Sequence, residues 1–282
     1  MRSKQFGASI TKKSGSNFYY SFLFLPKVQR RAIYTVYAFC RLVDDAVDSR
    51  PSHSEAAAEL STWRKELDQC YHGQPNHPLS RELQPIIRQF EIPQDYFQEL
   101  LNGIEMDLIK KRYATFSELS EYCYRVASVI GLICIRIFGC DTQTVREHAI
   151  HQGMAFQLTN VLRDLGTDAD RGRIYLPLDE LARFGYSEAE LLRSTYNPAF
   201  VELMRFQTQR AKRYYEKAKS LIPREARRAL VASEIMGAIY ENLLDVIEER
   251  RYRVFDERIS LSTIRKASLA LQAYLKNRSA AV

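Results

Sequence analysis

Chain breakers are scarce in this sequence, and their scarcity limits the folds open to it more than any other feature. Its 282 residues hold 11 glycines and 9 prolines, about 7% together against roughly 12% in an average chain. A fold of many short strands needs frequent turns, and the residues that make them are too few. Apolar residues recur instead at helical spacing between short Pro, Gly or Ser/Asn signals. The spacing predicts helices from Pro26 to about Asp48, Glu55 to Tyr71, Leu79 to Phe90 and Pro93 to about Lys111. It predicts two more from a Ser117 cap to Phe138 and from Thr142 to about Leu165, then a polar loop from Gly166 to Pro177. Pro198 and Pro223 open helices to about Leu221 and Tyr252, as proline can at the first helical position, where the amide has no partner inside the helix. The last helix runs from Ser260 or Ser262 to about Asn277. The expectation is a single all-α domain over residues 1–282, about ten helices around an apolar interior, with residues 1–17 flexible.

Charge and cysteine usage narrow the class of function. Lys and Arg number 41 against 34 Asp and Glu, a net charge of +7. The signs are interleaved, as in Arg64-Lys65-Glu66 and Glu248-Glu249-Arg250-Arg251, which is the pattern of solvated helix faces and not of a nucleic-acid stripe. No nucleic-acid partner is expected. Five cysteines without a CxxC pair argue against a disulfide framework or a zinc site. Cys40, Cys123 and Cys134 stand among apolar residues as buried reduced thiols do, which suits the cytoplasm. Met1 to Lys13 lacks the apolar run of a signal peptide. Val129 to Ile137, interrupted by Gly131 and Arg136, falls well short of the roughly 20 residues that span a bilayer.

Two acidic constellations carry the chemistry. In Tyr37-Ala-Phe-Cys-Arg41-Leu-Val-Asp44-Asp45-Ala-Val-Asp48, helical spacing puts Asp44 and Asp48 on one face about 6 Å apart along the axis, with Arg41 and Tyr37 continuing it. Like charges at this spacing weaken a helix, and carboxylates near its carboxy terminus oppose the macrodipole. Local stability does not favour them there; a hard divalent cation does, because Mg2+ takes oxygen ligands from one or two carboxylates plus phosphates. The second constellation is Gln157-Leu-Thr-Asn160-Val-Leu-Arg163-Asp164-Leu-Gly-Thr-Asp168. Gln157, Asn160, Asp164 and Asp168 step along one stripe of a helix whose other faces are apolar, and such a stripe needs a partner or a wet cavity. Two carboxylate pairs face each other across a cavity only when cations offset their repulsion. Arg41, Arg163, Arg171 and Arg173 are placed to bind phosphate oxygens bidentately.

With these motifs and Phe18-Tyr-Tyr-Ser-Phe-Leu-Phe-Leu-Pro26, Glu121-Tyr-Cys-Tyr-Arg-Val-Ala127 and Arg171-Gly-Arg-Ile-Tyr-Leu-Pro177, the chain resembles the squalene and phytoene synthases from about Ser14 to Leu275. Val-Ala-Ser128-Val-Ile-Gly131, Ile235-Met-Gly-Ala-Ile-Tyr240, Tyr252-Arg-Val-Phe255 and Arg258-Ile-Ser-Leu-Ser262 make it most similar to the bacterial presqualene diphosphate synthases of hopanoid biosynthesis. The resemblance implies an isoprenoid-synthase helical fold with a central cavity. It implies Mg2+ held by Asp44 and Asp48 and by Asn160, Asp164 and Asp168, with Gln157 beside them. Tyr37, Arg41 and Arg163 match positions that bind or orient diphosphate, and Tyr122 matches a tyrosine that assists proton movement near a carbocation. Phe18, in a cluster with Tyr19, Tyr20 and Phe22, serves either packing or substrate contact; Phe18 and Arg171 stand as candidate substrate contacts. Gly15 and Asn17 replace serines common in relatives.

The implied reaction joins two molecules of farnesyl diphosphate head to head into presqualene diphosphate, Mg2+-dependent and without NADPH. Phytoene or dehydrosqualene synthesis and full squalene synthesis are the alternatives, and a noncatalytic helical assembly protein is a remote one. No Gly-x-Gly-x-x-Gly segment is present, although nicotinamide binds without it in some folds. The expected setting is the cytoplasm with peripheral contact to the inner membrane, and downstream isoprenoid enzymes are the expected partners.

Overall fold

The structure is a computed structural model that describes residues 21–50 and 52–280. Their regular structure is helical, apart from one isolated bridge between Arg112 and Ile174. The long helices are α1 (Lys27–Asp48), α2 (His53–His72), α3 (Pro78–Gln89) and α4 (Gln94–Ile109), then α5 (Phe116–Cys123), which runs through a π-helical turn, Tyr124–Ser128, into α6 (Val129–Phe138). α7 (Gln143–Arg163) is followed by three short helices, α8 (Leu165–Asp170), α9 (Leu178–Arg183) and α10 (Glu188–Leu192). α11 (Pro198–Ser220), α12 (Val231–Glu249) and α13 (Thr263–Ala280) complete the chain.

Local chemistry sets most of these boundaries. Ser52, Thr142 and Asn197 accept amide protons from the first turns of α2, α7 and α11, which satisfies donors a helix start otherwise leaves bare. Thr115, not Ser117, caps α5 by accepting from Glu118 N at 3.5 Å. Gly139 ends α6 in the left-handed conformation, φ 75°, which glycine adopts without a Cβ penalty.

Two stretches depart from the expected pattern. Residues 166–170 of the anticipated polar loop are helical, anchored by the buried Leu165 and Ala169, and the Thr167 hydroxyl donates to Asp164 O at 2.9 Å. Pro223 opens only a 3-10 turn, Arg224–Ala226, and the helix begins at Val231. Asn277 Nδ2 donates to Arg227 O at 2.7 Å, taking the carbonyl that a continuous helix would offer to Val231 N.

α7 is the centre of the molecule. It packs on α11, α6, α12 and the π turn, and buried side chains lie all around it, from Val145 and His148 to Val161 and Leu162. One apolar cluster, with Phe39, Trp63 and Phe97, fills the space among α1 to α4 and α6. A second, with Tyr113, Phe200 and Ile239, joins α5, α11 and α12. No helix among the described residues is long and apolar enough to cross a membrane.

Candidate active site

Between α1, α4, the α5–α6 wall, α7 and the start of α12 lies a cavity of about 400 Å³. α1 lines it from Ile33 to Asp44 and α7 from Ala149 to Asn160, each a run of about 16 Å at 1.5 Å per residue. Both runs begin apolar and finish on oxygen-bearing side chains. Ile104, Ile130 and Phe138 belong to the apolar part, whereas Asp107 brings α4 into the polar end.

Five of the sequence-derived candidates border this cavity on α1 and α7: Tyr37, Arg41, Asp44, Gln157 and Asn160. Arg41 reaches Asp45 at 2.7 Å and Asp44 at 3.8 Å. Asp48 closes α1 one turn further on; its side chain, like Gly15, Asn17, Phe18 and the amino-terminal segment 1–17, lies outside the described residues. Asn160 Nδ2 donates to Gln157 Oε1 at 3.3 Å, while Asn160 Oδ1 is buried without a hydrogen-bond donor. A buried acceptor left bare costs free energy unless a ligand or water satisfies it.

Arg163, Asp164, Asp168 and Arg171 do not border the cavity; they continue past its polar end. The single polar stripe expected on one helix is broken at Asp164, where φ −99° and ψ 11° separate α7 from α8. The amide of Asp168 still bonds Asp164 O at 2.9 Å, so the two carboxylates stay neighbours. Arg163 holds Asp164 in a bidentate pair, and Arg258 Nε adds a bond of 2.9 Å from 94 residues away. Burial opposes ionisation of Asp164, but these guanidinium donors outweigh it and hold its pKa below the ordinary value. Asp168 has the opposite balance. Burial, then the charge of Asp164, push it up to about 7 against the pull of Arg173 and Arg171. Arg171, exposed at the end of α8, acts on the site through this field.

The donor set fits Mg2+. Among the described residues no three His, Cys, Asp or Glu side chains gather closely enough to hold a metal by themselves. The bare Asn160 oxygen and Asp168, whose ionisation burial and Asp164 oppose, are instead oxygen donors that a cation would satisfy, and Asp164 joins them where phosphate takes over its guanidinium partners, in the manner of Mg2+, whose shell is completed by phosphate and water.

A tyrosine pair completes the polar end. Tyr122 Oη donates to Asp107 Oδ2 at 2.8 Å, and Tyr175 Oη donates to Asp107 Oδ1 at 2.6 Å. Tyr113 packs beside both rings, centroids 5.6 Å away. The backbone keeps this cluster together, because Ile174 N bonds Lys111 O and Leu178 N bonds Tyr113 O. Burial, then the charge of Asp107, raise the pKa of Tyr122 well above its ordinary value, so its hydroxyl stays protonated and aimed at Asp107. Asp107, Tyr175 and Arg258 carried no role in the sequence reading. A signal was present for Asp107: it stands on the same stripe of α4 as Leu100 and Ile104, and a carboxylate on a buried stripe calls for a partner. Ser128 does not reach the cavity; its hydroxyl donates to Ile150 O at 2.8 Å.

Comparison with known proteins agrees with this geometry. The model of the squalene/phytoene synthase family matches residues 11–265. The chain belongs to the squalene/phytoene synthase family. This prenyltransferase family member is 36% identical to the 15-cis-phytoene synthase of Synechocystis sp., over 95% of its own length and 83% of the relative's. It is 37% identical to the phytoene synthase of Arthrospira platensis, over 95% and 91% of the two chains. Among solved structures it resembles a dehydrosqualene synthase, with TM-score 0.86 and 31% identity over 97% and 96% of the chains. The squalene synthase HpnC of Alicyclobacillus acidocaldarius follows at TM-score 0.79 and 27% identity, over 87% and 93%. The isoprenoid-synthase fold is thereby established. The names borne by these relatives point toward phytoene and dehydrosqualene synthesis more than toward the presqualene diphosphate synthases.

Proposed function

We propose that this chain, acting as a single domain, joins two allylic prenyl diphosphates head to head without nicotinamide and yields a product of the phytoene or dehydrosqualene type. The observation that carries this reading is the cavity itself: a largely apolar chamber, one end of which collects Asp44, Asp107, Gln157, Asn160 and Arg41. Apolar walls suit prenyl tails and shield a cation from water; the polar end suits the diphosphates. Mg2+ bound by Asp44, Asp48, Asn160, Asp164 and Asp168 would stabilise the departing diphosphate as a Lewis acid. Arg41 and Arg163 orient phosphate oxygens. The allylic cation left by one substrate is attacked by the C2–C3 double bond of the other, and loss of one proton closes a cyclopropane, giving a cyclopropyl diphosphate plus diphosphate; the second diphosphate then leaves, and rearrangement of the cyclopropylcarbinyl cation with loss of a second proton gives the conjugated hydrocarbon. Tyr122, held by Asp107, lies at the polar end to guide the first of these protons.

A second reading, arrest at presqualene diphosphate made from two farnesyl diphosphates, is favoured by the segment around Arg258, whose guanidinium reaches Asp164 and adds charge that retains the second diphosphate. An apolar product also favours peripheral contact with a lipid surface. On α13, Ile264, Leu271 and Leu275 are exposed, and the helix carries Arg265, Lys266, Lys276 and Arg278 but no acidic residue.

The test is incubation of the protein with Mg2+ and either farnesyl or geranylgeranyl diphosphate, without nicotinamide, followed by mass analysis. Dehydrosqualene or phytoene, lost in Asp44→Ala and Asp164→Ala, is the expected result. A cyclopropyl C30 diphosphate as sole product selects the second reading, and inertness toward both substrates refutes the condensation.

A further inference from the structure

Behind the apolar part of the cavity lies a second one of about 390 Å³, between α7, α11, α12 and α13, bordered by His148, Tyr215, Gly237, Glu241 and Asn277. Gln152 borders both cavities, and Ser233, on the neighbouring α12, borders the first. These two side chains form the wall between them. Gln152 is 7% exposed, and its Nε2 donates to Ser233 O at 2.9 Å. His148 donates from Nδ1 to Ala218 O at 2.8 Å, leaving Nε2 to accept from the Ser233 hydroxyl at 3.1 Å. That hydroxyl proton is shared with Gln152 Oε1. A glycine lies beside the wall: a Cβ at Gly237 would stand 2.9 Å from Gln152 Nε2, so the amide crosses α12 where no side chain stands.

A hydrogen-bonded amide is an unusual end for an apolar chamber. Leucine would seal it with less polar burial, but a leucine can yield to a new rotamer, whereas an amide tied to Ser233 at both ends cannot move without stranding buried polar groups. Gln152 stands eight residues before Asn160, about 12 Å back from the polar end along α7. That is where the far part of a tail comes to rest once its diphosphate is held at Asn160 and Asp44. We propose that the Gln152–Ser233 partition, braced by His148, determines which prenyl chain length this enzyme accepts. The proposal rests on the condensation proposed above. A longer tail is refused because its terminal isoprene unit would have to break the pair to enter the second cavity.

The test measures kcat/KM of wild type, Gln152→Ala, Gln152→Asn and Gln152→Leu with geranyl, farnesyl, geranylgeranyl and geranylfarnesyl diphosphates, alongside thermal unfolding. Wild type should show a sharp length limit. Gln152→Ala joins the two cavities and should raise the ratio of the first refused length to the preferred one by roughly 10-fold to 100-fold. Gln152→Asn retracts the amide by one carbon and should shift the ratio less, and Gln152→Leu, which refills the wall, should restore the limit most of the way. An unchanged ratio in Gln152→Ala with native unfolding behaviour overturns the proposal. Should that variant not fold, an unchanged ratio in Gln152→Asn does so. Wild type inert toward every length refutes the condensation instead, so the two failures are distinguishable.

Discussion

Gly153→Ala sets two effects of known size against each other. Gly153 lies inside α7, where alanine is intrinsically better than glycine by about 1 kcal/mol. Propensity alone therefore predicts a more stable protein. In the folded chain, however, the added Cβ would stand 2.4 Å from Ser128 Cα, 2.6 Å from Ser128 N and 2.8 Å from Ala127 C. Carbon atoms in contact prefer about 3.5–4.0 Å, and all three neighbours are backbone, so no rotamer change relieves the clash. α7 and the π turn must separate by about 1 Å at a place where Ser128 Oγ bonds Ile150 O at 2.8 Å. Overpacking of a close-packed interior costs about 1–3 kcal/mol, with this case at the upper end, and the strained hydrogen bond adds about 1 kcal/mol. The net expectation is a loss of about 2–3 kcal/mol, or a fall in Tm of roughly 4–12 °C. Urea unfolding followed by circular dichroism measures it. Gly139→Ala is the control: nothing lies within 4 Å of its added Cβ, and only the φ of 75° opposes alanine, at about 1–2 kcal/mol. A Gly153→Ala protein as stable as wild type, or more so, would refute the close approach of α7 to the π turn.

Other consequences follow from the site and its supports. Asp107→Ala strands the hydroxyls of Tyr122 and Tyr175, each costing about 1–3 kcal/mol when buried without an acceptor, and differential scanning calorimetry should show the lower Tm. Tyr122→Phe should reduce kcat by about 10²-fold or more and cost about 1–3 kcal/mol of stability through the bond lost to Asp107; a lower Tm with kcat unchanged would assign the hydroxyl a packing role only. Asp141 pairs with Arg146 at 2.5 Å and Arg136 at 2.7 Å, and the hydrogen bonds from Arg146 hold its pKa below the ordinary value. A depressed carboxylate stabilises above its unfolded pKa and stops doing so as pH falls through the folded one. Asp141→Asn should thus cost about 1–3 kcal/mol at pH 7, and urea titrations should show the gap to wild type closing below about pH 4.

What could be read from the sequence follows the range of the interactions. α1 to α4, α7 and α11 were legible because each is long, periodic and punctuated by Pro, Ser, Thr or Asn within one turn of its start. The polar end was legible where its members share a helix, as Tyr37, Arg41 and Asp44 do, or Gln157 and Asn160. α8, α9 and α10 were not, since helices of five or six residues are too short to hold themselves and owe their form to Leu165, Leu181 and Leu191 packing into the interior. Tyr175 and Arg258 gain meaning only from partners 68 and 94 residues away, and the stripe that marks Asp107 as needing a partner does not name Tyr122, 15 residues on; no local pattern encodes those meetings. The break at Asp164 was likewise hidden, because its i to i+4 bond to Asp168 survives and the spacing reads as one helix.

The π turn at Tyr124–Ser128 gives this wall of the cavity an evolutionary property that a plain helix lacks. A π turn accommodates one residue more than an α turn, and one residue corresponds to about 100° of rotation. The face of α6 that carries Ile130, Cys134 and Phe138 to the cavity is therefore out of phase with the helix that carries Tyr122. A single-codon deletion within Tyr124–Ser128 would restore the α-helical phase, swinging either the tyrosine off Asp107 or the apolar lining out of the chamber. Substitutions can accumulate on the two sides of the turn independently, but the reading-frame length between them is fixed.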